Sequence, residues 1–285
     1  MDQNEHGPAE VLVAIPAHNE AATIGVCLTS VITSLTAAQQ LGMVGRARIA
    51  VALHRCTDDT EAVVQTAGSA HNVELMIVAE DQPMPVGTVR TRLVRAAHGD
   101  PPDHFAWLLS TDADTVVPLH WVDQMLAIGR REQAELVLGL ADLTDWDVSP
   151  EIRGSYAAII DAGLTPTGHR HAYAANLAIR LSAFHQVGGF PGLVHGEEHG
   201  LARAVRAAGL TVATPLAPRV LTSARMPGRA HHGLGTLLED LAHHPDERTS
   251  DEYHRPDPWL RNGAAPGAGR GSVPWTRAAD RPRAW

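Results

Sequence analysis

The chain has 285 residues, 44% of them apolar, with 23 basic against 32 acidic residues and a formal charge of −9. All 23 basic residues are arginine, which excludes a Walker A lysine, a Schiff-base lysine and Ser-Lys nucleophilic chemistry. The negative balance argues against nucleic acid polymer as a partner, because neutralising phosphates needs a basic face.

No apolar run approaches the roughly 20 residues that a membrane span needs. The first ten residues, MDQNEHGPAE, do not read as a signal peptide. Two cysteines, Cys27 and Cys56, are too few for a disulfide framework and fit a cytoplasmic protein.

From Val11 onward the chain alternates strand and helix patterns. Val11–Ile15 is a short apolar run, expected to be a strand buried on both faces and to break at Pro16. A helix is expected from Asn19 as N-cap, with Ile24, Leu28, Val31 and Leu35 along one stripe. The second cycle is a strand at Arg48–Leu53 and a helix from Asp58, with Asp58 and Glu61 at capping-box spacing and Gly68 past the end. The third is a strand at Val73–Ala79 and a helix over Gly87–Gly99, with Val89, Leu93 and Ala96 inward. A fourth strand, Phe105–Ser110, runs into Asp112-Ala113-Asp114. This alternation predicts a mostly parallel sheet flanked by helices.

Beyond the acidic triplet, Pro118 is expected to open a helix with Val122, Met125 and Leu126 on its inner stripe. Glu135–Leu140 reads as a strand, and Asp142–Arg170 as a looser covering segment. A helix over Leu201–Ala208 stops at Gly209, and from Pro245 the Pro, Gly and Arg content predicts a disordered tail. The expected organisation is one α/β domain over 8–244 and a tail over 245–285.

Asp112-Ala-Asp114 follows an apolar strand, and in open α/β sheets ligands gather at the carboxyl ends of strands. Two carboxylates at this spacing suit a hard divalent cation that also holds a diphosphate, or equally a polar turn before the next helix. Glu197-Glu198 precedes the Leu201 helix, where a carboxylate also complements the helix dipole. His195-Gly-Glu-Glu198-His199 formally matches the zinc-peptidase pattern H-x-x-E-H, with Glu198 as the base.

Taken in order, Ile15-Pro16-Ala-His-Asn19-Glu20, Trp107-x4-Asp112-Ala-Asp114 and Gly196-Glu197-Glu198 resemble the family 2 glycosyltransferases of the GT-A fold. Cys56-Thr-Asp-Asp-Thr60, Gly188-Gly-Phe-Pro191 and Thr222-Ser-Ala-Arg225 followed by Gly228-Arg229 add to the resemblance, which spans about Val11 to Gly235. It implies an inverting hexosyl transfer from a nucleotide-diphosphate sugar to an acceptor hydroxyl. By the same resemblance Pro16, Asn19, Glu20, Arg90 and Asp112 serve the donor nucleotide. Asp114, with Asp112, holds Mn2+ or Mg2+, and Glu198 or Glu197 is the base. Arg225 and Arg229 are expected to serve the diphosphate or acceptor side. Residues 8–115 would then form the nucleotide-binding half and 116–244 the acceptor half.

The chain departs from the family where a base-reading aspartate usually follows the second strand, since Leu53 and His54 stand there. The donor base is therefore open at this point. A zinc peptidase built on His195, Glu198 and His199 and a non-catalytic nucleotide-sugar-binding protein remain alternatives.

Overall fold

The computed structural model describes residues 7–69, 73–97, 106–144, 146–225 and 234–243. The elements run in the order β1 (Ala9–Ala17), α1 (Ile24–Gln40), β2 (Val44–His54), α2 (Thr60–Ser69), β3 (Glu74–Glu80), α3 (Val86–Ala97), β4 (Trp107–Ser110) and β5 (Thr115–Val116). They continue through α4 (Trp121–Arg131), β6 (Leu136–Leu138), β7 (Leu140–Thr144), α5 (Pro150–Ala162), β8 (Leu164–Thr165), β9 (Gly168–His169), β10 (Leu177–Arg180) and α6 (Leu181–Gln186). The last are α7 (Glu197–Ala207), β11 (Val212–Ala213), β12 (Arg219–Ser223) and α8 (Leu234–His243).

A seven-stranded sheet in the order β11-β6-β10-β4-β1-β2-β3 forms the centre, parallel except where β10 runs against β4 and β6. Its alternation explains why β1 is apolar from Val11 to Ala17. Val11, Val13 and Ile15 face one core, with Ile24, Leu28, Val31 and Leu35 of α1 and Val122, Met125 and Leu126 of α4. Leu12 and Ala14 face the other, with Val89, Leu93 and Val94 of α3, Phe184 of α6 and Leu201 and Val205 of α7. A strand covered on both faces has no polar side to present. Replacing Leu108, which is 0% exposed at the centre of β4, by Ala is expected to cost about 2–5 kcal/mol in urea unfolding.

The strand does not break at Pro16: β1 continues to Ala17, with Pro16 opposite Ala52 of β2. The ladder to β4 ends at Ala14, so past that point β1 has a neighbour on one side only, where a residue without an N–H is tolerated. α1 begins at Ile24, not after Asn19. Asn19 instead adopts a left-handed conformation (φ 55°), and its side-chain oxygen accepts the Thr57 N–H at 2.7 Å.

Other boundaries move for packing reasons. Gly68 lies inside α2, where a Cβ would meet Leu75 Cδ2 at 2.3 Å. Ala97 rather than Ala96 is buried in α3, following the i, i+4 row from Val89 and Leu93. Pro118 only prepares the turn before α4, its carbonyl accepting the Trp121 N–H at 3.0 Å.

The segment expected as one strand over Glu135–Leu140 splits at Gly139 into β6 and β7, which enter different sheets. Asn176 causes the break. Its amide donates to the carbonyls of Leu140 and Pro218 at 2.8 and 2.9 Å and accepts from Trp121 Nε1 at 2.8 Å. A Cβ at Gly139 would lie 2.2 Å from that amide nitrogen.

The Asp142–Arg170 stretch is not loose: it holds α5, capped by the Ser149 hydroxyl, which accepts the Ile152 N–H, with Pro150 entering the first turn. Tyr156 and Ile159 of α5 meet Trp146, Ala224 and Leu237, Leu238 and Leu241 of α8 in a third, smaller core. The tail expected over 245–285 lies outside the described residues.

Candidate functional site

β1 and β4 are parallel neighbours, so the segments that leave their carboxyl ends, 18–20 and 111–114, emerge on the same side of the sheet. β12 then brings a cation to them. It pairs with β5, and the Ser223 N–H donates to the Asp114 carbonyl at 3.2 Å, which sets Arg225 beside the acidic loop.

The Arg225 guanidinium forks onto Glu20, at 3.2 Å to Oε2 and 2.9 Å to Oε1, and reaches Asp114 Oδ2 at 3.3 Å. Glu20 is buried and held from below. Its N–H donates to the Thr60 hydroxyl at 2.7 Å, and the Thr23 hydroxyl donates to its Oε2 at 2.7 Å. Pro16 and Asn19 frame this loop, with Asn19 turned towards Thr57. Burial pushes the Asp114 carboxyl up to about 7; the charges of Asp112 and Glu20 add to the shift and Arg225 opposes it.

Asp112 is organised from inside the protein. Arg90, on α3, is 2% exposed and pairs with Asp112 Oδ1, while donating to the Ser110 hydroxyl at 3.0 Å and the Thr111 carbonyl at 3.4 Å. The Cys27 thiol donates to the Asp112 carbonyl at 3.2 Å, and burial holds that thiol far above its ordinary pKa. Burial by itself disfavours charge on Arg90, but the carboxylates of Asp112 and Glu197 outweigh it.

The acidic pair opens α7, with Gly196 at the N-cap in a left-handed conformation (φ 71°). Glu197 is buried, and its Oε1 lies 3.9 Å from Arg90 Nε. Glu198 is partly buried, and its carboxyl is pushed up to about 8, first by burial and then by the charge of Glu197. Arg90 pulls that value down and Asp112 pushes it up.

α7 comes this close because α3 carries glycine at position 87. A Cβ there would meet Glu197 Cβ at 2.7 Å and the Pro191 carbonyl at 2.8 Å. Gly87→Ala is therefore expected to lower the unfolding temperature and cut activity together, as a thermal melt and an assay on one preparation would record. Sequence reading placed this glycine only as the start of a helix; its signal was a residue without a side chain one turn before Arg90 and Thr91 on the same face.

The structure thus gathers Glu20, Arg90, Asp112, Asp114, Glu197, Glu198 and Arg225 into one charged cluster. Leu53 is a core residue, and His18 Nδ1 lies 2.7 Å from the His54 carbonyl, with His54 Nε2 3.0 Å from that of Gln82. Arg229 lies outside the described residues. The zinc-peptidase spacing is not met, because α7 starts at Glu197 and His195 precedes it, so the two histidines do not share a helix face.

Among the described residues no group of three or more His, Cys, Asp or Glu side chains forms a metal cage by itself. Asp112 and Asp114 each keep one carboxylate oxygen outside the ion pairs with Arg90 and Arg225. That donor set fits a hard cation of the Mg2+ type, which takes one or two carboxylates and completes its shell with substrate phosphates and water.

The fold is shared with solved structures that hold nucleotide sugars. The mannosyltransferase PcManGT from Pyrobaculum calidifontis, in complex with GDP-Man and Mn2+, superposes with a TM-score of 0.58 at 18% identity, over 79% of this chain and 59% of that one. S. aureus TarS 1–349, in complex with UDP-GlcNAc, superposes with a TM-score of 0.58 at 13% identity, over 79% of this chain and 61% of that one. The chain thus spans about three-fifths of the length of these proteins. No curated protein matches it by sequence. The model of glycosyl transferase family 2 matches residues 12–188, well over half of the chain, and the chain belongs to that family.

Proposed function

We propose that the protein transfers a sugar, of the hexosyl type, from a nucleotide-diphosphate donor to an acceptor hydroxyl, with inversion at the anomeric carbon. The observation that carries this reading is the approach of α7's Glu197-Glu198 to the Asp112–Asp114 loop across Arg90, which joins a base to a diphosphate site. Residues 8–115 supply the donor half and 116–244 the acceptor half.

Pro16, Asn19 and Glu20 border the nucleoside, and Asp112 meets the ribose or the cation. Asp114, with Asp112, would hold Mn2+ or Mg2+; when bound, such an ion neutralises charge on the departing diphosphate. Arg225 adds a guanidinium on the same side, suited to phosphate oxygens, and Arg229 is proposed to join it. The complexes of PcManGT with GDP-Man and Mn2+ and of TarS with UDP-GlcNAc support the donor class.

Glu198 is the proposed base. It accepts the proton of the acceptor hydroxyl as that oxygen attacks the anomeric carbon. Glu197, buried against α3 and facing Arg90, is the less available of the two and sets the orientation of the helix. A carboxyl pushed up to about 8 is a stronger proton acceptor than an ordinary glutamate, and near neutral pH it stays partly ionised. A cytoplasmic location is part of the proposal; among the described residues no helix is long and apolar enough to cross a membrane.

The reading is tested by calorimetric binding of UDP-, GDP- and dTDP-sugars with and without Mn2+. Metal-dependent binding of at least one is expected, and metal-dependent binding of none overturns it.

A further inference from the structure

Arg90 belongs to the donor half by position and also faces the helix of the acceptor half. Its side chain is closed off from solvent, yet one edge of its guanidinium faces two carboxylates from different elements, the loop after β4 and α7. Asp112 is paired through Nη2, and Glu197 lies 3.9 Å from Nε. Nε is buried and donates no hydrogen bond, so the pairing towards Glu197 is electrostatic, in surroundings where a charge keeps much of its strength.

The same helix grips the segment before α7. The Thr91 hydroxyl accepts the Phe190 N–H at 2.9 Å and donates to the Phe190 carbonyl at 3.3 Å. The Phe190 ring lies 5.8 Å from the Arg90 guanidinium. One cation thus balances a carboxylate of the donor loop and a carboxylate of the base-bearing helix, and a displacement of either changes the field and room at the other.

We propose that Arg90 is a positioning residue that ties Asp112 to Glu197, so that filling the donor side fixes the helix that presents Glu198. This rests on the glycosyl-transfer reading. Glu197 is buried at α3 and offers a nucleotide almost no surface, and the donor-side cation it faces is Arg90.

The test is calorimetry with UDP, GDP and dTDP, each with Mn2+, on wild type, E197Q, R90K and the double variant, with thermal melts to establish that each is folded. E197Q is expected to weaken nucleotide binding about fivefold or more, a coupling of ordinary size between linked sites. R90K keeps the charge but not the fork, so it should weaken binding and abolish the E197Q effect, with the double variant within about twofold of R90K. In turnover assays R90K should raise the donor KM and lower kcat together, whereas a change confined to stability would leave both intact in the folded fraction. R90M serves as a second background, in which E197Q should again add nothing.

Nucleotide binding by E197Q equal to wild type, or full additivity of the E197Q and R90K effects, overturns the link while leaving glycosyl transfer standing. Failure of wild type to bind any of the three nucleotides with Mn2+ overturns both.

Discussion

Glu198→Gln is expected to lower turnover by about 10²–10⁴-fold, the range that a positioned base contributes, while donor binding measured by calorimetry stays within about twofold. The amide keeps the shape and loses the ability to accept a proton. Stability should move the other way. The Glu198 carboxyl is raised to about 8 from an ordinary value near 4.5, so the folded state holds this proton more tightly than the unfolded chain does. The stabilisation that this gives is complete below about 4.5 and is lost as pH rises through about 8. Glutamine does not ionise, so the melting temperature of the variant should gain on wild type across that interval and level off above it. In wild type kcat should fall on the acid side of about 8, where the base becomes protonated. A variant that is both inactive and less stable at pH 9 would mean that Glu198 is a structural charge.

Asp114→Asn should have the second large effect, a loss of metal-dependent donor binding of at least about 100-fold, equivalent to ~2.7 kcal/mol. The substitution removes a charge that Arg225 and Glu20 have already surrounded. The fold should tolerate it, because a carboxyl pushed up to about 7 by burial is one that the interior disfavours in its ionised form. The comparison that decides is titration with the nucleotide in Mn2+ and in EDTA. Wild type should separate the two conditions widely, and the variant should bring them together. A variant that still binds better with Mn2+ would move the cation elsewhere.

The strand and helix order was legible because burial on two faces leaves a strong mark. Val11–Ile15 and Arg48–Leu53 are apolar at nearly every position, and the stripes of α1 and α4 repeat at helical spacing. Where burial is thin the pattern fades. α5 buries only Tyr156 and Ile159, and its residues read as loop although Ser149-Pro150 marked its start. β5, β8 and β9 have two residues each, too few to carry a period. Gly139 looked like part of one strand because nothing local reveals that Asn176 occupies the space beside it.

The acidic centres were readable from residue type and position: Glu20 after the first strand, Asp112 and Asp114 after the fourth, and the Glu197-Glu198 pair before a late helix. A family resemblance ordered them into donor and acceptor sides. What those carboxylates face was decided only by the tertiary structure. Arg90 looked like a nucleotide contact, and folding buries it between Asp112 and Glu197. Arg225 looked like one of two clamps, and the pairing of β12 with β5 sets it between Glu20 and Asp114, more than a hundred residues from either.

The physical reason is common to both. Which residues are apolar, acidic or helix-starting is a local property, set by side-chain chemistry and repeating at short range. Which charge neutralises which is set by sheet order and by the few positions, such as Gly87, where one helix lets another approach. The sequence by itself therefore determined an α/β enzyme family and a set of acidic residues. Only the folded chain decided that they come together in one cluster, Asp112 and Glu197 facing Arg90, and Glu20 and Asp114 facing Arg225.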